Sequence, residues 1–318
     1  MKAIYLEKKA GADALVTGEI PRPKPGAGEI LIKVHATAVM PTELSWEPTF
    51  STSSGQPRPF PIVLSHEFSG VVESAGDEWK AGDEVYGLND WFTNGAQAEY
   101  CVAPAKWVAP KPKTLRHTEA AVAPISALTA WQGLFEKGRL ERKQRVLIHG
   151  ASGAVGTFAV QLARWRGAHV TATASATNLD FVRALGADVV IDYHTTRFED
   201  VVCDMDVIFD AVGGETLERS WKILEKNGKM ISIVGGTTSA PMSQRSRDAF
   251  MLVRADGPQL AEIAKMIDAG QLRVFVEAVY PLEETRAAYA RAERGKMQGK
   301  IALSIFDDSP VSLNPKNL

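Results

Sequence analysis

Hydrophobic and polar positions along the chain follow two different periods, and the change comes near residue 120. Before it, short alternating or apolar runs are separated by turns rich in proline and glycine, which is typical of strands. These runs lie at 2–6, 29–39, 62–74, 84–88 and 96–102. We therefore predict a β-rich segment over the first 120 residues.

Helical spacing appears at 118–137, and beyond it strands alternate with helices. The predicted strands are 145–149, 169–174, 189–192, 207–210, 229–234 and 250–253, and the predicted helices are 153–166, 179–185 and 216–224. Such alternation indicates right-handed βαβ units and a doubly wound parallel sheet. The later pieces, helices at 258–269 and 282–294 and β segments at 272–280 and 300–305, do not extend this series. We expect an α/β protein in which a parallel-sheet domain, 121–254, is inserted into a β-rich domain made of 1–120 and 255–318.

A glycine-rich turn follows the apolar strand pattern at 146–149. Its residues are Gly150, Ala151, Ser152, Gly153, Ala154, Val155 and Gly156, and a helix-like stretch begins directly after them. Glycines let the backbone turn tightly and approach a pyrophosphate, which the helix N-terminus then faces. The order of strand, turn and helix predicts the dinucleotide site of a Rossmann domain, although Ala151 replaces the usual first glycine and Gly150 stands one place earlier. A tight turn that binds no ligand is the alternative.

The end of the next predicted strand bears on the choice of cofactor. An acidic residue there would hold the ribose 2′-hydroxyl of NAD, but the strand ends at Ser175, with Asn178 three residues later. Since no carboxylate is present to repel a 2′-phosphate, we predict NADPH, with Tyr193 as a further phosphate partner. A site that accepts both NADPH and NADH stays open, because no basic residue directly follows Ser175.

Composition excludes several classes of function. Hydrophobic residues make up 45% and charged residues 23% of the 318 residues, and the formal net charge is −2. We therefore expect no binding to nucleic acid or to an anionic membrane. The N-terminus lacks the apolar region of a signal peptide, and two cysteines give no disulfide framework. These features predict a soluble cytoplasmic protein.

Seven motifs together resemble the medium-chain dehydrogenase/reductase superfamily, specifically its quinone oxidoreductase (zeta-crystallin-like) branch. They are HEFSGVV at 66–72, GDEVYG at 82–87, GAQAEY at 95–100, LTAW at 128–131, LGAD at 185–188, DAVGG at 210–214 and GKIAL at 299–303. The resemblance covers nearly the whole chain. It implies a GroES-like catalytic domain, a Rossmann domain, a cleft between the two, and a homodimer.

The same resemblance indicates that zinc is not used. Relatives with catalytic zinc have a cysteine early in the chain, a histidine before a glutamate, and a second cysteine before the Rossmann domain. His66 and Glu67 are present here, but Met40-Pro41-Thr42 and Ile125-Ser126 occupy the two cysteine positions. Catalytic zinc needs three protein ligands, so we predict none.

Resemblance also implies the remaining site residues. The nicotinamide end should be surrounded by Thr129, Val212, Val234, Gly235, Gly236, Phe250, Met251 and Leu252, and the substrate side by Met40, Trp46, Phe50, Trp91 and Phe92. Quinone reductases of this branch carry Asn-Pro where this chain has Met40-Pro41. The proton donor is not fixed by the sequence, and Glu43 and His66 are the candidates. The segment 295–300 has the wrong spacing for a phosphate loop and precedes a strand, so we assign it no role.

The predicted function is therefore hydride transfer from NADPH to a quinone or another small conjugated carbonyl compound, without zinc. One alternative is an NADPH-dependent reductase of alkenal or enone double bonds. Another is a non-catalytic NADPH-binding protein with a crystallin-like or redox-sensing role. A zinc alcohol dehydrogenase is a more distant alternative.

Overall fold

Short strands, several of them runs of mostly buried residues, form the first half of the β-rich domain. The computed structural model describes residues 1–74, 78–235 and 243–306. Its first strands are β1 Lys2–Leu6, β2 Leu15–Glu19, β3 Glu29–Ala38, β4 Ile62–Val63, β5 Glu67–Ser74, β6 Glu84–Leu88, β7 Tyr100–Pro104 and β8 Val108–Pro110. A short helix, α1 Glu47–Phe50, lies between β3 and β4. Strands β2, β1 and β4 form a small antiparallel sheet.

Three helical pieces, the last two contiguous, cover the helical stretch predicted over 118–137. They are α2 His117–Ala120, α3 Pro124–Trp131 and a π-helical turn, Gln132–Lys137. Pro124 stands in the first turn of α3, where its missing N–H costs nothing, whereas continuing α2 through it would lose a helical hydrogen bond. The proline therefore starts a new helix instead of extending the old one.

The parallel sheet is confirmed, with the order β11-β10-β9-β12-β13. Its elements are β9 Arg145–His149, α4 Ala154–Arg166, β10 His169–Ala174, α5 Leu179–Ala184, β11 Val189–Asp192, β12 Met205–Asp210, α6 Gly214–Ser220 and β13 Leu224–Ser232. All four neighbouring pairs are parallel. The chain builds β9, β10 and β11 outward on one side and then β12 and β13 on the other. The switch in direction lies between β9 and β12.

Two predicted elements of this domain are wrong in their bounds or type. The helix predicted at 216–224 ends at Ser220, because the Met205 N–H donates to the Ile223 carbonyl at 2.8 Å and draws the chain into β13. The strand predicted at 250–253 is a single bridge between Phe250 and Ser232. The Phe250 N–H already closes the last turn of helix α7, Gln244–Ala249, so it is not available to a sheet.

The C-terminal part of the chain returns to the β-rich domain. It contains α8 Gly257–Asp268, β14 Val276–Pro281, α9 Thr285–Glu293 and β15 Lys300–Ser304. Strand β15 pairs with β14 in parallel and with β3 antiparallel, in a sheet ordered β14-β15-β3-β5-β6-β8, with β7 also paired to β3. The β segment predicted from 272 begins only at 276, because the N–H groups of Gln271 and Leu272 donate to the Met266 carbonyl and cap α8.

One large hydrophobic core joins the two domains. Strands β9 and β10 and helix α4 contribute buried apolar side chains, and the core continues through α3 and α8 to Tyr86 and Leu88 of β6. The Tyr86 hydroxyl donates to the Leu260 carbonyl of α8 at 2.6 Å. Burial raises the pKa of this phenol. Within the described ranges, the helices are all too short or too polar to cross a bilayer.

Candidate active site

A cavity of about 490 Å³ opens at the carboxyl ends of the parallel strands. Its wall is formed by residues of β9 and β10, of the segments that follow β9, β10, β11 and β12, of helix α6, and of the loop before β15. They are His149, Gly150, Ser152, Gly153, Thr173, Ala174, Ser175, Asn178, Tyr193, Phe198, Ala211, Val212, Thr216, Arg219, Gly295, Lys296 and Met297. In open α/β sheets, ligands bind in such a crevice at the point where the strand order reverses.

The glycine turn has the conformation that the sequence predicts. Gly150 adopts a φ of 71°, in the left-handed region that favours glycine. A Cβ at Gly156 would lie 2.2 Å from the Gly150 carbonyl oxygen, so the turn and helix α4 can approach only without that side chain. Gly153 is the N-cap residue of α4, which begins at Ala154 and continues through Val155. The N-terminus of a 13-residue helix therefore points toward the cavity edge.

Asn178 connects the glycine turn to a distant segment of the chain. Its Nδ2 donates to the Ser152 Oγ at 3.1 Å, and its Oδ1 accepts from the Gln298 Nε2 at 3.0 Å. The Gly299 N–H also donates to the Ser152 carbonyl at 3.0 Å. Asn178 lines the cavity, but both ends of its amide hold protein groups. It therefore positions the glycine turn.

The cavity wall is positively charged at neutral pH. Arg219 and Lys296 line it, and no aspartate or glutamate does so in the part of the chain that the structure describes. Arg219 pairs with Glu199 at 3.2 Å; burial would raise the pKa of the Glu199 carboxyl, but a backbone hydrogen bond, the hydrogen bond from Arg197 and the charges of both arginines together lower it. The hydroxyl of Ser175 and the half-exposed ring of Tyr193 complete this end. The arrangement suits a phosphorylated ligand.

His149 lies beneath the cavity in neutral form. Its Nδ1 is 3.0 Å from the Thr173 Oγ1 and its Nε2 is 3.0 Å from the Ser220 Oγ. Burial, assisted by the charge of Arg219, lowers the pKa of His149 to about 3. Both ring nitrogens are thus used inside the protein, and His149 supports the cavity floor.

Of the residues predicted for the nicotinamide end, Val212 lines this cavity, and the others lie outside its lining, most of them near the ends of β12 and β13. Phe250 bridges to Ser232, the Met251 N–H donates to the Ser232 carbonyl, and a Cβ on Gly235 would contact the Phe250 ring at 3.3 Å. A Cβ on Gly213, in the turn after β12, would lie 2.8 Å from Val234. Val234, Gly235, Phe250 and Met251 are thus brought together. Val212 and Leu252 are exposed, and Gly236 lies outside the described residues.

Asp210 holds the loop that carries Val212. It is fully buried, and its carboxylate accepts the N–H groups of Val212 and Gly213 and the hydroxyl of Ser232. Thr129 on α3 is buried and donates its hydroxyl to the Ile125 carbonyl at 2.6 Å. Asp210 is therefore a positioning residue. The sequence contains it in the DAVGG motif but does not predict this role.

The predicted substrate side is an aromatic cluster around His66. The Trp91 ring lies 5.2 Å from Trp46 in an edge-to-face arrangement and 5.1 Å from the His66 ring, measured between centroids. Met40 and Trp91 are partly buried and pack against the large core. Phe92 is exposed, whereas Phe50 is buried in a second core formed with Leu6 and Leu15. Phe50 is therefore a core residue and not a wall of the substrate site.

Glu43 and His66, the candidate proton donors, are bound to one another and to the backbone. Glu43 is fully buried, and its carboxylate accepts the N–H groups of Ser65 at 2.5 Å and His66 at 3.2 Å. The His66 Nδ1 is 3.2 Å from the Glu43 Oε1, and its Nε2 is 3.2 Å from the Thr93 carbonyl. These contacts favour a positioning role for Glu43 and leave neither residue a free polar atom directed at a ligand.

Glu67, next to His66, forms a buried ion pair with Lys300 of β15. The second carboxylate oxygen of Glu67 accepts the Ile125 N–H at 2.9 Å. Burial raises the pKa of Glu67, and the ammonium of Lys300 opposes part of that rise. The pair joins β5, β15 and the start of α3 beside the cleft.

Comparison with known proteins agrees with this architecture. Residues 26–113 match the alcohol dehydrogenase GroES-like domain, and residues 185–303 match a family described as zinc-binding dehydrogenase. The mouse mitochondrial NAD(P)H oxidoreductase RTN4IP1 is 34% identical over 87% of this chain and 82% of its own. A chloroplastic quinone-oxidoreductase homolog from spinach is 31% identical over 92% of this chain and 94% of its own. The chain belongs to the medium-chain dehydrogenase/reductase superfamily, in its quinone oxidoreductase branch.

A solved member of the superfamily has the same fold throughout. The quinone oxidoreductase from Coxiella burnetii superimposes with a TM-score of 0.86 at 27% identity, over 96% of this chain and 99% of the other. The relatives' names support an NAD(P)H-dependent oxidoreductase with a small-molecule substrate. A Rossmann-like domain and a GroES-like domain are thereby confirmed, while the boundaries at 120 and 255 stay predictions.

The donor set around His66 does not fit the catalytic zinc of other superfamily members. Met40 and Ser126 stand where thiolates would be needed, and the His66 ring is already bound on both sides. Between residues 1 and 306, apart from 75–77 and 236–242, no three His, Cys, Asp or Glu side chains are grouped to hold a metal. Cys101 is buried in β7, which raises the pKa of its thiol, as expected for a small core residue.

Several cavity residues were missed by the sequence analysis. His149, Phe198, Thr216 and Arg219 belong to no recognised motif, and only the folded sheet brings them to one place. The segment from Gly295 to Met297 was set aside because it lacks a following helix, yet it lines the cavity. The repeated glycines and lysines of this segment are the sequence feature that could have indicated a place beside a phosphate.

Proposed function

We propose that this protein is an NADPH-dependent reductase that transfers hydride to a quinone or another small conjugated carbonyl compound without zinc. The observation that carries the proposal is the cavity beside the glycine turn. Among its described lining residues it has two cations and no carboxylate, so a cofactor with an additional phosphate meets attraction there and no like charge.

The cleft around His66 supports a flat, conjugated acceptor. Trp46 and Trp91 offer aromatic faces, and Met40 adds a polarisable apolar side chain in place of an amide. Apolar walls exclude water from the reacting atoms and orient the acceptor. The described residues around His66 include no metal-binding donor set, and in this proposal hydrogen-bond donors stabilise the oxygen of the acceptor.

Each part of the site has a separate task in this proposal. Bound NADPH supplies the hydride; the acceptor takes it at its electron-poor carbon and takes a proton from solvent at oxygen, which balances a two-electron reduction. Gly150, Ser152 and the start of α4 bind the pyrophosphate. Asp210 holds the loop that carries Val212, and Thr129, whose hydroxyl bonds within its own helix, contributes to the nicotinamide end from α3. Glu43 keeps the turn before β5, and with it the His66 ring, in position.

NADPH oxidation separates the proposed acceptors. The protein is treated with a chelator and given a simple quinone or a matched alkenone, with NADPH and with NADH. Faster turnover of the quinone with NADPH, giving hydroquinone, supports quinone reduction. Faster turnover of the alkenone, giving a saturated carbonyl compound, assigns the protein to double-bond reduction. NADPH binding without turnover of either acceptor contradicts an enzymatic role and favours the non-catalytic alternative.

Two further features remain proposals. We propose a homodimer, which sedimentation equilibrium tests through the molar mass in solution. A cytoplasmic location is tested by cell fractionation; the names of the relatives above place them in mitochondria and chloroplasts.

A further inference from the structure

The loop between α9 and β15 forms one side of the cofactor cavity although it belongs to the β-rich part of the chain. Gly295, Lys296 and Met297 line the cavity. Two residues later, Gly299 forms a parallel β-bridge with Gly153, the N-cap residue of α4. The loop is thus joined directly to the glycine turn.

Hydrogen bonds hold this loop at both ends. The Gln298 N–H donates to the Glu277 Oε2 at 2.9 Å, and its side chain donates to Asn178. Arg291 donates to the Gly295 carbonyl at 3.0 Å and pairs with the same Glu277. Lys296 itself has a φ of 53°, a backbone conformation that residues other than glycine, asparagine and aspartate rarely adopt. The anchors on either side therefore fix the direction of the Lys296 backbone before any ligand binds.

Lys296 is the cation in the cavity wall whose charge is not neutralised. Arg219, the other one, is paired with Glu199. Lys296 is exposed, and neither an ion-pair partner nor a hydrogen-bond partner of its ammonium occurs among the described residues. A lysine ammonium held in this way is a point charge suited to a phosphate group.

The position of the loop indicates which phosphate it meets. In this fold the ribose that distinguishes the two nicotinamide cofactors lies at the end of the second parallel strand, here β10 with Ser175 beyond it. Asn178 lies three residues further on and is bound to Gln298 of the loop. Since the amide of Asn178 is already used, a charge for the 2′-phosphate must come from another segment.

We propose that Lys296 binds the 2′-phosphate of NADPH, so that a residue outside the parallel-sheet domain determines the choice of cofactor. Ser175 and Tyr193 supply hydroxyl groups to the same phosphate. This inference rests on the proposed function, since it requires that the protein prefers NADPH to NADH.

The test compares cofactor affinities of the intact protein and three variants. Lys296→Gln keeps the length of the side chain and removes its charge, and Lys296→Arg restores a cation. Arg294→Gln is the matched control, because Arg294 is an exposed cation two residues away that does not line the cavity. Dissociation constants for NADPH and NADH are measured by quenching of tryptophan fluorescence, with 2′,5′-ADP and 5′-AMP as competitors that carry and lack the 2′-phosphate.

We expect Lys296→Gln to weaken NADPH and 2′,5′-ADP about tenfold and to leave NADH and 5′-AMP unchanged, because a charge-assisted contact to one phosphate is lost. Lys296→Arg should recover most of the affinity, and Arg294→Gln should lose almost none. Equal weakening of both cofactors by Lys296→Gln would place the lysine at the pyrophosphate and overturn the inference. If the wild-type protein prefers NADPH but Lys296→Gln changes the affinity for neither cofactor, the inference is overturned and the proposed function is left intact. A wild-type protein with no preference for NADPH would contradict both.

Discussion

Removing one charge of the buried pair formed by Glu67 and Lys300 is expected to destabilise the protein more than removing both. The two side chains are 1% and 8% exposed, so neither charge can be solvated once its partner is gone. Lys300→Met would leave the Glu67 carboxylate with the Ile125 N–H as its backbone donor, and losing one partner of such a pair costs about 3–5 kcal/mol. Glu67→Gln leaves a buried ammonium at a similar cost.

The double variant Glu67→Gln/Lys300→Met buries no charge, and the glutamine oxygen can still accept the Ile125 N–H. It should therefore be about 2 kcal/mol more stable than either single variant. Urea unfolding at pH 7, followed by tryptophan fluorescence and by circular dichroism, measures all four proteins of the cycle. The half-exposed pair of Arg254 and Glu136 is the control, with a coupling of about 1 kcal/mol or less. Single-variant losses no greater than that of the double variant would refute the reasoning.

Three further results are expected. Below pH 6.5 the unfolded chain protonates His149 while the folded protein, with its pKa of about 3, does not. As the pH is lowered below 6.5, this residue should therefore reduce the free energy of unfolding by about 1.4 kcal/mol per pH unit. The urea midpoint should fall less between pH 7 and pH 5 in His149→Asn than in the wild-type protein. Gly156→Val should abolish NADPH binding in a calorimetric titration, because its Cβ would meet the Gly150 carbonyl at 2.2 Å; Gly11→Val, with open space around it, should bind normally. Prolonged dialysis against a chelator should leave turnover unchanged, and activity lost to the chelator and recovered with zinc would contradict a zinc-independent reaction.

The sequence predicts correctly those elements whose structure is determined by the periodicity or the residue types of the element itself. Strands β1 and β6 have the predicted bounds, and the glycine turn has the conformation that its sequence requires. The errors arose where a particular backbone hydrogen bond, distant or local, decides the outcome. The helix before β13 ends early because Met205 captures a carbonyl, and the strand expected at Phe250 fails because a helix already uses its N–H. Local periodicity contains neither contact.

The candidate site divides in the same way. Ser152, Ser175 and Tyr193 follow from strand order, because the carboxyl ends of parallel strands meet at one edge. Lys296 could not be placed, since its loop reaches the cavity only through Gly299 and Gln298, more than 100 residues from the turn they contact. The burial of Phe50 depends on the second core, which forms from strands and a helix at opposite ends of the chain.

The position of β15 has a consequence for the order in which the protein matures on the ribosome. The strand lies between β14 and β3, and the segment directly before it completes the wall around Ser152, because the Gly299 N–H donates to the Ser152 carbonyl and Gly295, Lys296 and Met297 line the cavity. About 145 residues separate the glycine turn from that closing segment, and at 5–20 residues per second the earlier part waits about 7–30 seconds for it. Until then the Ala36–Ala38 end of β3 lacks its partner strand, although β7 already pairs with the start of β3, and the cofactor crevice lacks one side. A nascent chain is thus expected to acquire cofactor affinity late and in a single step, and the exposed edge is where a chaperone would act.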